Sequence, residues 1–204
     1  MIEIDIEKKI RNESGGIELN VKTAFQLNAI TRLDGPSGIG KTTLLKMIAG
    51  LIRPDKGLIK FGNDVWFNGN QSYSKKVQER NIGFVFQDYA LFPNMTVDEH
   101  LKFGTYDSDY IDELLLIGEM ADLRKRLPKQ LSGGQQQRLA ILRALATKPS
   151  LLLMDEPFSA LDTALKLRLI DKLKTLFTEK KITVVLVSHQ ESELDKNSFI
   201  FNLG

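Results

Sequence analysis

Cysteine is absent from the 204 residues, which excludes disulfide scaffolds, thiol nucleophiles, iron–sulfur clusters and cysteine zinc sites. Two histidines leave little with which to build a zinc enzyme. An excess of one charge is also missing: 28 Lys and Arg against 26 Asp and Glu leave a formal +2, which argues against a nucleic-acid partner held by bulk charge. Long apolar runs are lacking too. The longest are the length of Leu151 to Met154 or Val184 to Val187, far below the roughly 18 residues that span a bilayer, so any membrane role needs a partner. The N-terminus alternates Ile2, Glu3, Ile4, Asp5, Ile6, Glu7. That is the period of a half-buried strand, without the basic start and apolar core of a signal peptide, and a cytoplasmic chain is expected.

What is present has the length of one domain with room for a subdomain, at about 150 residues per domain. Ile2 to Ile6 and Ile17 to Val21 alternate on either side of the polar Lys8 to Gly16 segment, whose Gly15-Gly16 pair suits a turn, and so predict an antiparallel hairpin. Ala29 to Leu33 reads as a strand, followed by a Gly-rich loop and a helix over Thr43 to Leu51. Ile82 to Phe86, Leu151 to Met154 and Ile182 to Val187 are short apolar runs suited to strands buried on both faces. Leu165, Leu169, Leu173, Leu176 and Phe177 mark one face of a crossover helix between the last two. The stretch from about 88 to 146 holds helical patterns such as Ile111, Leu114 and Leu115 but no strand. The expected architecture is α/β: a mostly parallel sheet over 1–87 and 147–204 with an N-terminal antiparallel β-subdomain, and a helical subdomain inserted at about 88–146.

Gly35-Pro36-Ser37-Gly38-Ile39-Gly40-Lys41-Thr42 matches the phosphate-loop pattern G-x-x-x-x-G-K-S/T, in the required setting between strand and helix. Its backbone N–H groups can curl around a phosphate at a helix start, with Lys41 reaching the β/γ oxygens and Thr42 offering a hydroxyl to Mg²⁺. Thr43 is next in line for the α-phosphate. Such a site needs an acid at the end of a neighbouring buried strand, and Leu151 to Met154 runs into Asp155 and Glu156. Asp155 is expected to serve Mg²⁺, and Glu156 to polarise the attacking water, the alternative being that the pair merely caps the strand end.

Leu131-Ser132-Gly133-Gly134-Gln135, about twenty residues before the acidic pair, resembles the signature of ATP-binding-cassette (ABC) ATPases. With the phosphate loop it makes nearly the whole chain similar to one ATP-binding subunit of that family. The resemblance implies that Gln87 is the Q-loop glutamine, near Mg²⁺ or the lytic water; that Ser159-Ala160-Leu161-Asp162 is the D-loop; and that His189 is the switch histidine facing the γ-phosphate. It also implies a homodimer that sandwiches ATP, in which Ser132 to Gln135 contact the nucleotide held by the other copy. Two departures stand out. The family commonly stacks adenine on an aromatic residue near the first hairpin, and Lys8 to Gly16 contains none, leaving Ile10 or Arg11 to cover the base or to be ordinary loop residues. Asp34, just before the phosphate loop, either repels the triphosphate or braces the turn through backbone N–H groups.

The distance from Lys41 to Ser132 leaves no room for the long coiled coil of chromosome-maintenance relatives. What remains resembles a single-cassette importer subunit, most like those of molybdate-type oxyanion systems, peripheral on the cytoplasmic face of the membrane. Its implied partners are integral membrane permease subunits and, indirectly, a solute-binding protein, with no nucleic acid. Tyr89, Leu91, Phe92 and Met95 are candidates for the permease-docking surface or, equally, for the core of the helical subdomain. The chain ends at Gly204, and the regulatory C-terminal β-domain of many relatives is not expected. The alternative function is a soluble ABC-type ATPase that regulates or remodels another macromolecule.

Overall fold

The computed structural model describes residues 1–12, 15–188 and 198–204, with the side chains of residues 11, 12 and 15 left aside. His189 and the side chain of Arg11 lie outside what is described. Strands β1 (Ile2–Asn12) and β2 (Gly15–Phe25) pair antiparallel, and β4 (Lys56–Phe61), β5 (Asp64–Asn68) and β6 (Tyr73–Ser74) extend them into a sheet of order β2-β1-β4-β5-β6. The Lys8 to Gly16 segment, expected as a polar connection, is largely strand, with Lys8 opposite Leu19 and Ile10 opposite Ile17. Ile10 and Leu19 carry the apolar face of the ribbon onward, Leu19 buried and Ile10 packed against the same core, so the pairing continues past the polar residues.

Inward-facing Ile2, Ile4 and Ile6 are buried, while outward-facing Glu3, Asp5 and Glu7 meet Lys60, Lys22 and Lys56 at 3.6, 3.4 and 2.8 Å, each directly opposite in register. Such exposed pairs contribute little individually, on the order of 0.2–1 kcal/mol, but they fix the register.

The second sheet is wholly parallel, in the order β10-β3-β9-β8-β7, built from β3 (Ile30–Asp34), β7 (Ile82–Val85), β8 (Leu151–Asp155), β9 (Thr183–Val187) and β10 (Phe199–Asn202). Its central strands have no solvent face. Leu151, Leu153, Val185 and Val187 pack toward the antiparallel sheet with helix α1 (Lys41–Ala49), and Leu152, Met154, Val184 and Leu186 pack toward the other helices. Those are α2 (Val97–Lys102), α3 (Ser108–Ile117), α4 (Gly133–Ala146) and α5 (Thr163–Glu179). Among the described residues no helix is long and apolar enough to cross a membrane.

Helix α1 lies between the two sheets, with Leu44, Leu45, Met47, Ile48 and Ala49 fully buried. Its C-terminal end rests on Arg80, itself buried, which donates to Ile48 O at 2.8 Å, Trp66 O at 3.0 Å and Lys75 O at 3.1 Å. A fixed cation at that end complements the helix dipole and anchors the helix whose other end faces the functional cleft.

Candidate active site

In a parallel sheet flanked by helices, ligands bind beyond the carboxyl ends of the strands. Here β3 ends at the 35–40 loop, β7 leads to Gln87, and β8 ends at Asp155 and Glu156. A cleft of about 290 Å³ opens there, bounded by Ser37, Lys41, Thr42, Thr43, Gln87 and Glu156. A second hollow of about 350 Å³ adjoins it, sharing Thr42 and Gln87 and adding Asp155. The phosphate loop, the acidic pair and Gln87 are thus brought together. Ser132, Gly133, Gly134 and Gln135 do not line this cleft.

Among the described residues, the start of α1 differs from that of every other α-helix. Helices α2, α3, α4 and α5 are capped by the side chains of Thr96, Asp107, Ser132 and Asp162. Helix α1 begins at Gly40, in left-handed backbone at φ 111°, with no side-chain cap and no acidic residue in its first turn. Unsatisfied N–H groups and the positive end of the dipole therefore face the cleft, which is the chemistry an anionic phosphate completes. Lys41 is 7% exposed, and its Nζ folds back to Gly35 O at 2.6 Å and Pro36 O at 2.9 Å, poised over the loop interior.

Asp34 is turned away from this role by its own bonds. One carboxylate oxygen accepts the Gly35 N–H at 2.9 Å and the other meets Arg32 at 3.4 Å, so it braces the loop entry and its charge is partly balanced.

Asp155 is 3% exposed and accepts a hydrogen bond from Thr42. Burial pushes its carboxyl above the ordinary carboxylate range, against the lowering effect of the Thr42 hydroxyl. A buried acid beside a hydroxyl and a phosphate loop fits Mg²⁺, which typically takes one or two protein oxygens and completes its shell with phosphate and water. Among the described residues no group of three or more His, Asp or Glu could hold a metal alone.

Glu156 follows with φ at 49°, a left-handed conformation that costs a non-glycine residue on the order of 1–3 kcal/mol and persists only where neighbours fix it. Its N–H donates to Val187 O at 3.1 Å, tying the ends of β8 and β9 together.

Ser132 and Gln135 form a capping box at the start of α4: the Ser132 hydroxyl accepts from Gln135 N at 3.3 Å and the Gln135 side chain accepts from Ser132 N at 2.9 Å. The turn is exposed, so the anion site it resembles faces outward. Asp162 is occupied in capping α5 at Leu165 N, 2.9 Å away.

Sequence reasoning missed two polar residues behind the cleft, the half-buried Arg143 and the buried His100. Arg143 of α4 donates to Tyr89 O and Ala90 O, holding two consecutive left-handed residues, φ 63° and 46°, in the loop after Gln87. His100 is buried and accepts the Phe92 N–H at its Nε2, 3.0 Å away; its Nδ1 therefore carries the proton toward Thr96 O at 2.8 Å. Desolvation lowers its pKa, consistent with a neutral ring. Spacing from Gln87 could not have found either residue. A depression of about 550 Å³ lies beside Tyr110 at the opposite, amino ends of β8 and β9, but its two ammonium groups are already paired, Lys148 with Asp107 and Lys180 with Glu113.

Beside Gly40 the described side chains that come close are aliphatic. A Cβ placed on Gly40 would meet Leu19 at 3.2 Å and Ile10 at 3.4 Å. Aliphatic contact cannot read the donor and acceptor edge of a base, so ATP and GTP should bind with affinities within about 100-fold, or about 2.7 kcal/mol, of each other. Titration of both nucleotides with Mg²⁺ checks this, and a larger preference would reveal a polar base pocket.

Fold and cleft together define a P-loop nucleotide-binding cassette. Residues 19–159 match the family model described as ABC transporter, and the chain belongs to that family of ATPases. It is 40% identical over 211 residues to a sulfate/thiosulfate import ATP-binding protein of Mesostigma viride, covering 98% of this chain and 58% of that protein. It is 39% identical over 196 residues to a molybdenum import ATP-binding protein of Shewanella sp. (strain MR-7), covering 95% and 53%. The chain thus spans little more than half the length of these relatives. Among solved structures, a dimeric post-hydrolysis ATP-binding cassette bound to ADP and Pi matches with a TM-score of 0.84 at 31% identity, covering all of this chain and 94% of that one. A dimeric bacterial ABC transporter cassette matches with a TM-score of 0.82, also at 31%.

Proposed function

We propose that this chain is the ATP-binding and ATP-hydrolysing subunit of an importer for a small oxyanion of the sulfate or molybdate class. The observation that carries the ATPase part is the uncapped start of α1 beside two adjoining hollows, one lined by Glu156 and the other by Asp155. Relatives named for sulfate/thiosulfate and molybdenum import support the oxyanion class, and molybdate is one member of it.

In this reading the N–H groups from Gly38 to Thr43, together with Lys41, hold the phosphates. Thr42 and Asp155 would hold Mg²⁺, which would supply positive charge to offset the negative charge of the phosphates. Glu156 orients a water and accepts its proton as the water oxygen bonds to the γ-phosphorus and the bond to the ADP oxygen breaks. Gln87 reports occupancy from the metal side of the cleft. His189 keeps the role implied by resemblance, a hydrogen bond to the γ-phosphate. Ser132 and the glycines after it, lying outside their own cleft, serve the nucleotide of a second copy, and two copies close on two ATP molecules.

The surface beyond Gln87 suits a permease partner. Phe92 is exposed and lies 5.2 Å, ring to ring, from Phe103, which is 67% exposed, whereas Tyr89 and Leu91 pack against the helical core. An importer motor of this kind should sediment with integral membrane proteins and be released by detergent together with them. Recovery wholly free of membranes, in cells expressing the intact system, would favour a soluble regulatory ATPase.

A further inference from the structure

The first turns of α4 are fastened to the segment that follows β8, and the fastener is a side chain with no assigned role. Gln137 is 1% exposed. Its Nε2 donates to Glu156 O and to Ser159 Oγ, both at 3.1 Å, and its Oε1 accepts the Ala160 N–H at 2.9 Å. Both amide hydrogens and the carbonyl oxygen are therefore used on a single target, the 156–160 segment. One turn earlier, a Cβ on Gly134 would stand 3.1 Å from Ala160 O and 3.2 Å from a Leu161 methyl, so the helix approaches that segment as closely as a glycine permits.

The contact falls on a weak point of the backbone. Glu156 is left-handed at φ 49° and precedes Pro157, before which helical backbone is disfavoured. The peptide between them has no N–H, leaving the Glu156 carbonyl as its one polar handle. Gln137 holds that handle from the helix side, while Val187 O holds the Glu156 N–H from the sheet side.

We infer that Gln137 is a positioning residue for hydrolysis: it fixes the Glu156 peptide, and so the aim of its carboxylate, in register with the helix that begins at Ser132. This rests on the reading of Glu156 given above. In a dimer, Ser132 serves one nucleotide and Glu156 the other, so Gln137 also makes the two half-sites of one chain move as a unit. Nucleotide affinity, set by the phosphate loop, should not depend on it.

A double-mutant cycle tests this. Gln137→Met keeps length and volume but makes no hydrogen bond, and should lower kcat about tenfold or more with ATP affinity unchanged within about threefold; placed on Glu156→Gln it should cost nothing further, since there is no carboxylate left to aim. Gln137→Glu keeps the acceptor for Ala160 but sets an oxygen against Glu156 O. As pH falls from about 8 to about 6, a carboxyl whose pKa is raised by burial regains a proton and a donor, so the ratio of Gln137→Glu to wild-type turnover should rise. Full kcat in Gln137→Met, an equal loss in both backgrounds, or a flat pH ratio would overturn the proposal. If Gln137→Met does not fold, the pH ratio decides alone. If Glu156→Gln by itself leaves turnover intact, the reading of Glu156 fails and this one falls with it.

Discussion

Replacing Glu156 with Gln lowers ATP turnover by about 10²- to 10⁴-fold, the range spanned by general-base assistance, while ATP binding survives. The amide keeps the size and most of the hydrogen bonding of the carboxylate, and the backbone contacts that hold the left-handed peptide do not involve the side chain at all. What is lost, in the proposed mechanism, is the negative charge that would take the proton from water. With chemistry blocked, the proposed dimer should stay closed on ATP, so gel filtration with ATP and Mg²⁺ should show a stable dimer in the variant and less of it in the wild-type protein. Turnover within threefold of wild type, or no dimer under those conditions, would move the catalytic role to His189 or elsewhere.

Lys41→Ala should weaken ATP binding by at least about 100-fold, which is about 2.7 kcal/mol and in the range of one or two charge-assisted hydrogen bonds to phosphate. Lys41 supplies the side-chain cation of the phosphate loop. Although it is buried, its Nζ bonds only carbonyls of its own loop, so the fold should survive, as circular dichroism would verify. The same variant probes the shared site. Ser132→Arg leaves a chain able to bind ATP but fills the helix start offered to the other copy. Mixing Ser132→Arg with Lys41→Ala yields mixed dimers in which one site carries both defects and the other carries neither. Activity should therefore appear on mixing two inactive proteins, to at most about half the wild-type level per mixed dimer. Isothermal titration for binding and phosphate release for turnover measure both effects. Continued inactivity of mixtures shown to contain mixed dimers would argue against composite sites.

The site motifs were legible because their chemistry is local. A glycine pattern between strand and helix, and acids at the end of an apolar run, lie together in the chain as they do in space. The antiparallel sheet was legible only at its first two strands. Pairing of β4 with β5 slips at Trp66, so Trp66 and Phe67 are buried in succession and β5 loses the alternation that marks a strand; in the parallel sheet, Phe199–Asn202 is a short, largely exposed edge. Gln137 and Arg143 were hidden for a different reason. On a helical wheel a polar residue reads as solvent face, and only the packing of α4 shows that these side chains point to carbonyls more distant in sequence. The Asp34 question was of the same kind: the nearby guanidinium and the Gly35 N–H settle in space what charge near a phosphate loop leaves open in sequence.

Arg80 ties the antiparallel sheet to α1. Its carbonyl acceptors come from the end of α1, from β5 and from the segment after β6, and neither the helix nor the sheet offers all of them. Detaching the antiparallel sheet would strip a buried guanidinium of partners worth about 1.5–3 kcal/mol each, beyond the apolar surface exposed around Trp66 and Ile48. A partly unfolded cassette that keeps its nucleotide helix in place is therefore poorly populated. Trp66 is the only tryptophan, so its fluorescence reports the antiparallel sheet and far-ultraviolet dichroism reports the helices; both should follow one denaturation curve. A fragment lacking residue 80 should lose not a corner of the molecule but the rigidity of the helix that holds the phosphates.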